Sequence, residues 1–440
     1  MTATINLNAA FDMSTFTGFR TGAALVHTPT LYRIEVAGGY VLEFIGTGFE
    51  YTITDDFNPN LSTELATQIN VYADNTLTTV AATFDFSPSP FSVTNGGYAN
   101  GYASLLNAIA QTNNFLVTGS VGADVLAQSG AVGDVLTGGG GNDVFALNAS
   151  LGLTGVFAIN GANADGSGMG VGEFNTLRLA TGLTFDGRGG TYTNINRIEF
   201  GNSGDFNLTS DQLGTGSIAL DTVVTGSAGT DTVLLYNTSA NLDLSGLTFV
   251  NFATGQDYVL IDNLVAAGTA LNMTLSAADD QFFAINHTAS VSVSGGGGND
   301  SIGGGSGADV LDGGAGSDLL NGGVGDDTLI LGGGADTAFG AQGDDTFIIR
   351  AGFTAVGTTI NGWALKGFEP GGSNDIIRLE ANADFRGALI SQIEIVDFQG
   401  FTGTFNQQQL ASLAGVLFTT SDGGGVLATV GTVNLGALAI

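Results

Sequence analysis

Nine-residue repeats of glycine and aspartate are the feature that most constrains the fold of this 440-residue chain. From Gly295 the chain reads GGGGNDSIG, GGSGADVLD, GGAGSDLLN, GGVGDDTLI, LGGGADTAF and GAQGDDTFI. The sixth position is aspartate in all six copies, and the eighth is apolar in each. Because nine residues do not complete a whole number of α-helical turns, the period predicts a glycine-rich turn followed by a short strand.

Pairs of these repeats predict a coil with two strands. Six residues of each repeat form a turn in which glycine supplies positive φ without a steric penalty. The other three form a strand whose apolar residue points inward. Two repeats make a coil of 18 residues, so alternate repeats stack in one parallel sheet about 4.8 Å apart. The stacking predicts two columns of carboxylates: Asp300, Asp318 and Asp336 at one edge, and Asp309, Asp327 and Asp345 at the other.

Stacked carboxylates require a counter-charge. Two of them about 5 Å apart repel by roughly 3 kcal/mol at an effective dielectric constant near 20. Calcium takes about six to eight oxygen ligands in a flexible geometry, whereas magnesium demands a tighter octahedron and retains its waters. The glycine turns expose carbonyl oxygens beside the carboxylates, and this nonapeptide pattern is typical of calcium-binding parallel β-helices. We therefore predict that the chain binds several Ca²⁺ ions.

Weaker copies of the repeat occur earlier in the chain. The segment from Gly119 reads GSVGADVLA, QSGAVGDVLT and GGGGNDVFA, where spacings of ten and nine indicate one distorted coil. A further fragment, GSAGTDTVL, carries Asp231, and AADDQFFAI resembles an eroded copy around Asp280. The alternative is a flexible glycine-rich linker; the in-register aspartates argue against it for residues 295–349, and the argument is weakest for the single motif at Asp231.

The repeats at 295–349, and to a lesser degree those at 119–146, resemble the RTX family of secreted proteins from Gram-negative bacteria. The resemblance implies a parallel β-roll with Ca²⁺ between successive turns. It also implies type I secretion through an uncleaved signal in the C-terminal tail. Members of the family stay unfolded in low cytosolic calcium and fold outside the cell, so the resemblance predicts a secreted, extracellular or cell-surface location.

The resemblance also implies a set of metal ligands. They are the position-six aspartates and the carbonyl groups of turn glycines at positions two and four. The implied residues are Asp300, Asp309, Asp318, Asp327, Asp336, Asp345, Gly296, Gly298, Gly305, Gly307, Gly314, Gly316, Gly323 and Gly325, with Asp124, Asp134, Asp143 and Asp231 in the weaker copies. The last two repeats depart from the pattern at Leu331, Ala338 and Ala341.

The chain also repeats on a larger scale. NTLRLATGLTFDG from Asn175 parallels DIIRLEANADFRG from Asp375, and RIEF parallels QIEI, which makes Glu199 and Glu394 equivalent. Alternating segments of this kind read as strands that continue a stack without metal. The predicted fold class is all-β: parallel β-roll or β-solenoid segments with calcium-binding turns, interleaved with β-rich caps, plus a small β-rich N-terminal domain.

Six divisions follow from these patterns. They are a β-rich domain at 1–115, with a hairpin pattern from Tyr32 and a helix at Tyr102–Gln111; a first short β-roll at 116–147; a β cap at 148–222; a degenerate solenoid at 223–290; the main β-roll at 291–349; and a C-terminal β cap with the secretion signal at 350–440.

Composition excludes several classes of partner. Asp and Glu number 41 against nine Lys and Arg, a net charge of −32 that repels nucleic acids and anionic membranes. There is no cysteine, so disulfides and thiolate metal sites are excluded. The first residues lack the features of a Sec signal, and no apolar run predicts membrane insertion.

The sequence offers no recognisable catalytic apparatus, and we predict that the chain is not an enzyme. Its two histidines, His27 and His287, do not lie in an H-E-x-x-H motif, and G-x-S-x-G, Walker A and Rossmann motifs do not occur. The 41 acidic residues offer many pairs that could act as the two carboxyl groups of a glycosidase, so this alternative stays open. For Glu199 and Glu394 we expect structural pairing with arginine, and for Trp363 packing rather than sugar binding.

The leading hypothesis is a secreted calcium-binding structural protein that folds on Ca²⁺ binding and self-assembles, as an S-layer, filament, biofilm-matrix or adhesion subunit. Its partners would be further copies of itself and a cell-surface polysaccharide. The strand-like segments TATINLNAA and VGTVNLGALAI could pair with a neighbouring copy by strand addition. The alternatives are a secreted enzyme, for example one acting on polysaccharide, whose repeats assist export and folding, and a toxin, which the lack of an apolar pore-forming helix disfavours.

Overall fold

The structure is a computed structural model. It describes residues 114–119, 122–127, 133–147, 157–162, 170, 172–214, 217–284, 286–362, 374–413 and 416–419, and also the backbone of the strands before residue 114 and of the strand Val426–Val430. The predicted helix at Tyr102–Gln111, Trp363 and the tail beyond Val430, with its predicted secretion signal, lie outside the described residues. Among the described residues, no helix has the length and apolar character that crossing a membrane requires.

The chain divides into two compact units. The first comprises Met1–Asn207 with Gln212–Gly229, and the second comprises Leu208–Asp211 with Thr230–Ile440. The six-part division drawn from the sequence is finer than this and stays a prediction.

The first unit begins with a largely antiparallel sheet. Its strands are β1 Thr2–Leu7, β2 Ala24–Thr28, β3 Leu31–Glu35, β4 Val41–Thr47, β5 Leu65–Tyr72, β6 Val80–Asp85, β7 Phe91–Ser92 and β8 Asn114–Thr118. The predicted hairpin is confirmed, because β3 and β4 pair antiparallel. Strand β1 pairs with β6 on one side and with β8 on the other. Both edges of β1 are therefore occupied, and the prediction that the segment TATINLNAA offers a free edge to another copy is wrong.

Stacked parallel strands follow in the same unit. They are β9 Val125–Ala127, β10 Val135–Thr137, β11 Val144–Leu147, β12 Phe157–Asn160, β13 Thr176–Leu179, β14 Thr184–Asp186, β15 Gly190–Thr193, β16 Ile195–Phe200, β17 Gly204–Thr209 and β18 Ile218–Thr225. One stack runs β8-β10-β12-β15 and the other β9-β11-β13-β16-β18, while β14 pairs with β17. Phe145 lies between Leu126 and Leu177 in the second stack, and all three are fully buried.

The second unit is built from longer stacks. Its strands are β19 Asp231–Asn237, β20 Asn241–Asp243, β21 Thr248–Val250, β22 Tyr258–Asn263, β23 Leu271–Thr274, β24 Asp280–Phe283, β25 Val291–Ser294, β26 Ser301–Gly305, β27 Val310–Asp312, β28 Leu319–Val324, β29 Thr328–Leu331, β30 Thr337–Gln342, β31 Thr346–Ile349, β32 Thr359–Asn361, β33 Ile376–Leu379, β34 Ala383–Asp384, β35 Leu389–Ser391, β36 Ile395–Asp397, β37 Thr402–Asn406, β38 Leu417–Thr419 and β39 Val426–Val430. Two parallel sheets run β19-β22-β24-β26-β28-β30-β32-β35 and β20-β23-β25-β27-β29-β31-β33-β36-β38, and a third joins β34, β37 and β39.

The eighth residues of the nonapeptides form the core of these stacks. Ile302, Leu320 and Ala338 are in register in one sheet, and Leu311, Leu329 and Phe347 are in register in the other. All six are fully buried, as strand alternation requires for residues that face the inside of a coil. The predicted all-β class and the predicted stacking of alternate repeats are confirmed.

A short helix, α1 at Gln407–Ser412, lies near the end of the second unit. The Asn406 side chain caps it in a capping box with Gln409, and the Gln409 side-chain amide also donates to the Ala388 carbonyl oxygen at 2.9 Å. Gln212, the last residue of the 3₁₀ turn Ser210–Gln212, donates in the same way to the Gly190 carbonyl oxygen at 2.6 Å. The two caps thus share a buried glutamine that ties a turn to the preceding coil.

The strand register corrects the sequence alignment of the two caps. Arg178 pairs with Glu199 across β13 and β16, and Arg378 pairs with Asp397 across β33 and β36. Glu199 therefore corresponds to Asp397, and its predicted equivalence with Glu394 is wrong by three positions. The arginine pairing predicted for Glu199 is confirmed, because the Arg178 Nε donates to its Oε2 at 2.9 Å.

Candidate metal centre

The position-six aspartates of the main coils form two hydrogen-bonded columns. Each is almost completely buried, and its Oδ1 accepts a hydrogen bond from a backbone N–H one coil earlier. The donor is an aspartate in every case except Asp309, which accepts from the Val291 N–H at 2.7 Å. These bonds run, donor first, from Asp300 to Asp318 (2.9 Å), Asp318 to Asp336 (3.2 Å), Asp309 to Asp327 (2.8 Å) and Asp327 to Asp345 (2.9 Å). The register thus brings the predicted carboxylates together, one column at each edge.

The second carboxylate oxygen of five aspartates in these columns lacks a hydrogen bond. Within the described residues, the Oδ2 atoms of five buried aspartates have none: Asp300, Asp309, Asp318, Asp327 and Asp336. A buried acceptor left unsatisfied costs about 1–3 kcal/mol, and a charged one costs more. Five such atoms in two regular columns indicate places that a cation occupies.

In three of these repeats a glycine at position one, Gly295, Gly304 or Gly322, lies beside both the Oδ2 atom and a carbonyl oxygen of the next coil. A β-carbon on Gly322 would overlap Asp327 Oδ2 and would lie 2.8 Å from the Gly340 carbonyl oxygen. A β-carbon on Gly304 would likewise overlap Asp309 Oδ2, and the Gly322 oxygen would lie 2.6 Å away. The sequence analysis assigned no role to position one, although the regular occurrence of glycine there could have indicated this close approach.

The glycines predicted as ligands lie on the same turns. At position two, Gly296, Gly305, Gly314 and Gly323 have φ between 88° and 117°, and at position four Gly298, Gly316 and Gly325 have φ between 106° and 138°. A β-carbon on Gly314 would overlap the Gly296 carbonyl oxygen, and one on Gly325 would overlap that of Gly307. These carbonyl groups therefore point at the next coil. Ala341, the departure noted in the last repeat, takes the same left-handed conformation at φ 78°.

The donor set fits calcium. It consists of carboxylate and backbone carbonyl oxygens, the hard ligands that Ca²⁺ prefers. No group of three acidic or histidine side chains converges anywhere in the described part of the chain. Each ion would therefore be held by isolated carboxylates together with the turn carbonyls, and bound calcium would supply the positive charge that the columns lack.

The first unit repeats this arrangement on a smaller scale. Asp124, Asp134 and Asp143 are buried, and the Asp124 N–H donates to Asp143 Oδ1 at 3.0 Å. Asp143 Oδ2 has no hydrogen bond among the described residues, and a β-carbon on Gly138 would overlap it. Asp134 precedes β10 in the opposite stack. The structure thus brings Asp124 and Asp143 into one column and leaves Asp134 on the other side.

A family model described as the RTX calcium-binding nonapeptide repeat matches this chain in four copies, within residues 130–149, 292–320 and 312–347. The chain carries RTX-type repeats. Its nonapeptide repeats are calcium-binding, and such repeats are typical of secreted proteins. The match includes Asp134, Asp143 and all six main RTX aspartates, whereas Asp124 and Asp231 lie outside it. No curated protein and no solved structure gives a match.

Two further coils carry a position-six aspartate that needs no cation. Asp257 accepts hydrogen bonds from the Asp231 N–H at 2.8 Å and from the Ala253 N–H at 2.6 Å, one on each oxygen. Asp280 accepts from the Ser276 N–H at 2.8 Å and from the Ser276 hydroxyl on both oxygens. These coils have Phe252 and Leu275 at position one instead of glycine.

The structure also shows where the weaker motifs around Asp231 and Asp280 lie. Asp231 is buried at the start of β19 and takes part in its column through its N–H group. The predicted eroded copy around Asp280 is in register with the RTX coils, since Phe282 pairs with Ile302. The sequence analysis missed Asp257, although FATGQDYVL has aspartate at position six and the buried Val259 at position eight.

Burial changes the acid–base chemistry of the RTX carboxyl groups. Desolvation raises their pKa from 3.8 to about 9 for Asp300, about 8 for Asp327, about 7 for Asp318 and Asp143, and about 6 for Asp309 and Asp336. Neighbouring carboxylates raise the pKa of Asp327 further, since Asp309 and Asp345 face it. Without metal, these groups resist ionisation in the folded state.

This raised pKa predicts an unusual pH dependence for metal-free protein. A carboxyl group whose folded pKa lies above its unfolded value stabilises the fold while it is protonated, and this stability is lost as pH rises through the folded pKa. We expect the melting temperature of metal-stripped protein to fall between pH 5 and pH 9, measured by circular dichroism. Calcium-saturated protein should not show this fall, because the ion binds the deprotonated form. A melting temperature that rises with pH in metal-free protein would contradict the assignment.

Proposed function

We propose that this chain is a secreted structural protein that folds on calcium binding outside the cell and assembles with further copies of itself, as a subunit of an S-layer, filament, biofilm matrix or adhesion layer. The observation that carries the proposal is the pair of carboxylate columns with buried, unsatisfied Oδ2 atoms. Such columns disfavour folding where calcium is scarce and favour it where calcium is plentiful. This role is structural rather than catalytic.

Exposed apolar side chains on the outer faces of the second unit support assembly. In the sheet that contains β28 and β35, Leu319 pairs with Thr337, Thr337 with Thr359, and Thr359 with Leu389. Leu319 and Leu389 therefore lie in line on one face, and they are 42% and 71% exposed. Val310 and Leu417 are exposed on the other sheet. Outward-facing leucines on a parallel sheet are protected from water when a second surface covers them. The net charge of −32 disfavours nucleic acid as that partner, and we propose a cell-surface polysaccharide as a second partner.

Assembly is tested by adding calcium to metal-stripped protein. We expect millimolar Ca²⁺, but not Mg²⁺ at equal ionic strength, to produce ordered fibres or sheets in electron micrographs and a rise in light scattering. The double variant L319S/L389S should fold with calcium and assemble several-fold less, whereas Thr337→Ser on the same face should assemble normally. Folded protein that stays monomeric in millimolar calcium would overturn the assembly proposal and leave calcium binding untouched.

A further inference from the structure

The coil that follows the RTX repeats has a different buried side chain in each of the two units. In the first unit, Asn175 Oδ1 accepts a hydrogen bond from the Asp143 N–H at 3.1 Å. In the second, Asp375 Oδ1 accepts one from the Asp345 N–H at 2.9 Å. Asn175 and Asp375 therefore occupy the same place, one coil beyond the last RTX aspartate of their columns. Both are fully buried.

One coil further along each column, the first unit again has an amide side chain where the second has an acid. The Asn175 N–H donates to Asn196 Oδ1 at 2.9 Å, and the Asp375 N–H donates to Glu394 Oε2 at 2.9 Å. Two neutral amides in the first unit thus correspond to two acids in the second. The backbone takes the same left-handed φ of 55° at Asn194 and Gln392, two residues before Asn196 and Glu394.

In the first unit the Asn175 amide satisfies the surrounding carbonyl groups. Its Nδ2 donates to the Gly161 carbonyl oxygen at 2.6 Å and to the Asn194 carbonyl oxygen at 3.2 Å. A β-carbon on Gly161 would overlap both the Nδ2 and the Asn194 oxygen. The amide hydrogens therefore supply the positive charge at this point, and no ion is needed.

In the second unit the same point holds a carboxylate oxygen. A β-carbon on Gly362 would overlap both Asp375 Oδ2 and the Gln392 carbonyl oxygen. Both atoms are acceptors, so they cannot satisfy one another as the amide and carbonyl of the first unit do. The RTX coils show the same juxtaposition, since Gly322 adjoins Asp327 Oδ2 and the Gly340 oxygen.

We propose that Asp375, with the carbonyl group of Gln392, binds a further Ca²⁺ ion outside the nonapeptide repeats. The matched repeats end at residue 347, so this site extends the calcium column into the C-terminal cap. In the first unit, the amide of Asn175 takes the place of the ion and ends the column. The site rests on calcium binding by the RTX coils and does not depend on the proposed assembly.

Exchanging the two residues tests the site. Calcium per chain is counted by elemental analysis of protein dialysed against excess Ca²⁺, for the wild type, Asp375→Asn and Asn175→Asp, with Asp384→Asn as a control for an exposed acid of the same cap. We expect Asp375→Asn to lose one ion per chain, Asn175→Asp to gain one, and Asp384→Asn to match the wild type. Asp375→Asn should also show a smaller rise in melting temperature on calcium addition.

Several results would overturn the proposal. An unchanged ion count in Asp375→Asn, with an unchanged melting-temperature response, would show that Asp375 is protonated and donates to Gln392 instead. If Asp375→Asn does not fold, an unchanged count in Asn175→Asp overturns the site, because that variant acquires the same donor set. A wild type that binds no calcium would refute calcium binding by the coils themselves, an outcome distinct from loss of the Asp375 site alone.

Discussion

Chelation of calcium at pH 8 should unfold the RTX coils at residues 295–347 and lower both the temperature and the amplitude of the thermal transition of the second unit. One ion present at a hundred times its Kd stabilises the folded state by about 2.7 kcal/mol. Several ions together therefore match the roughly 5–15 kcal/mol that separates a folded domain from its unfolded state. Far-ultraviolet circular dichroism and melting curves, with and without chelator, measure the loss.

The coils around Asp257 and Asp280 provide an internal comparison. Because protein donors satisfy both carboxylate oxygens there, their backbone amides should be affected less by chelation than those of strands β26 to β31. Hydrogen exchange followed by mass spectrometry reports both regions in one experiment. Equal melting temperatures in calcium and in chelator, or equal loss of protection in both regions, would contradict this explanation of the columns.

Gly316→Ala should destabilise the calcium-saturated protein by about 3–5 kcal/mol. Gly316 has φ of 138°, and a β-carbon there would overlap the Gly298 carbonyl oxygen of the preceding coil. The new methyl group would force two stacked turns apart at a predicted ligand. Urea unfolding in saturating calcium measures the change in the free energy of unfolding.

Gly333→Ala is the matched control for this substitution. It makes the same chemical change in the same roll, but no atom outside its chain neighbours lies within 4 Å of the added β-carbon, and its φ is not left-handed. We expect a change of less than about 1 kcal/mol, since Ala mainly restricts the unfolded chain there. Similar losses for both variants would show that close approach between coils is not what requires glycine at position four.

The RTX coils could be predicted from the sequence because their period leaves no freedom of register. An 18-residue coil places every second aspartate in one column, and the hydrogen bonds from Asp300 to Asp318 and from Asp309 to Asp327 follow that spacing. Asp375 escaped prediction because 30 residues separate it from Asp345, so the nine-residue period no longer points to it.

Other features depended on contacts that the sequence pattern does not encode. The alignment of Glu199 with Glu394 failed because it followed the Ile-Glu dipeptide that both caps contain, whereas the strand register pairs Arg378 with Asp397. Asp257 and Asp280 look like ligands by position, yet the N–H groups of Ala253 and Ser276 satisfy them. Whether a buried carboxylate needs an ion is decided by its hydrogen bonds, which become visible only in the folded chain.

The location of bound calcium tests the central claim most directly. Anomalous X-ray scattering from crystals of calcium-saturated protein should give peaks beside the Oδ2 atoms of the five buried aspartates of the main roll, Asp300, Asp309, Asp318, Asp327 and Asp336, and none beside Asp257 or Asp280. Intact coils with no anomalous peak at any of those five carboxylates would contradict the claim that calcium holds them together.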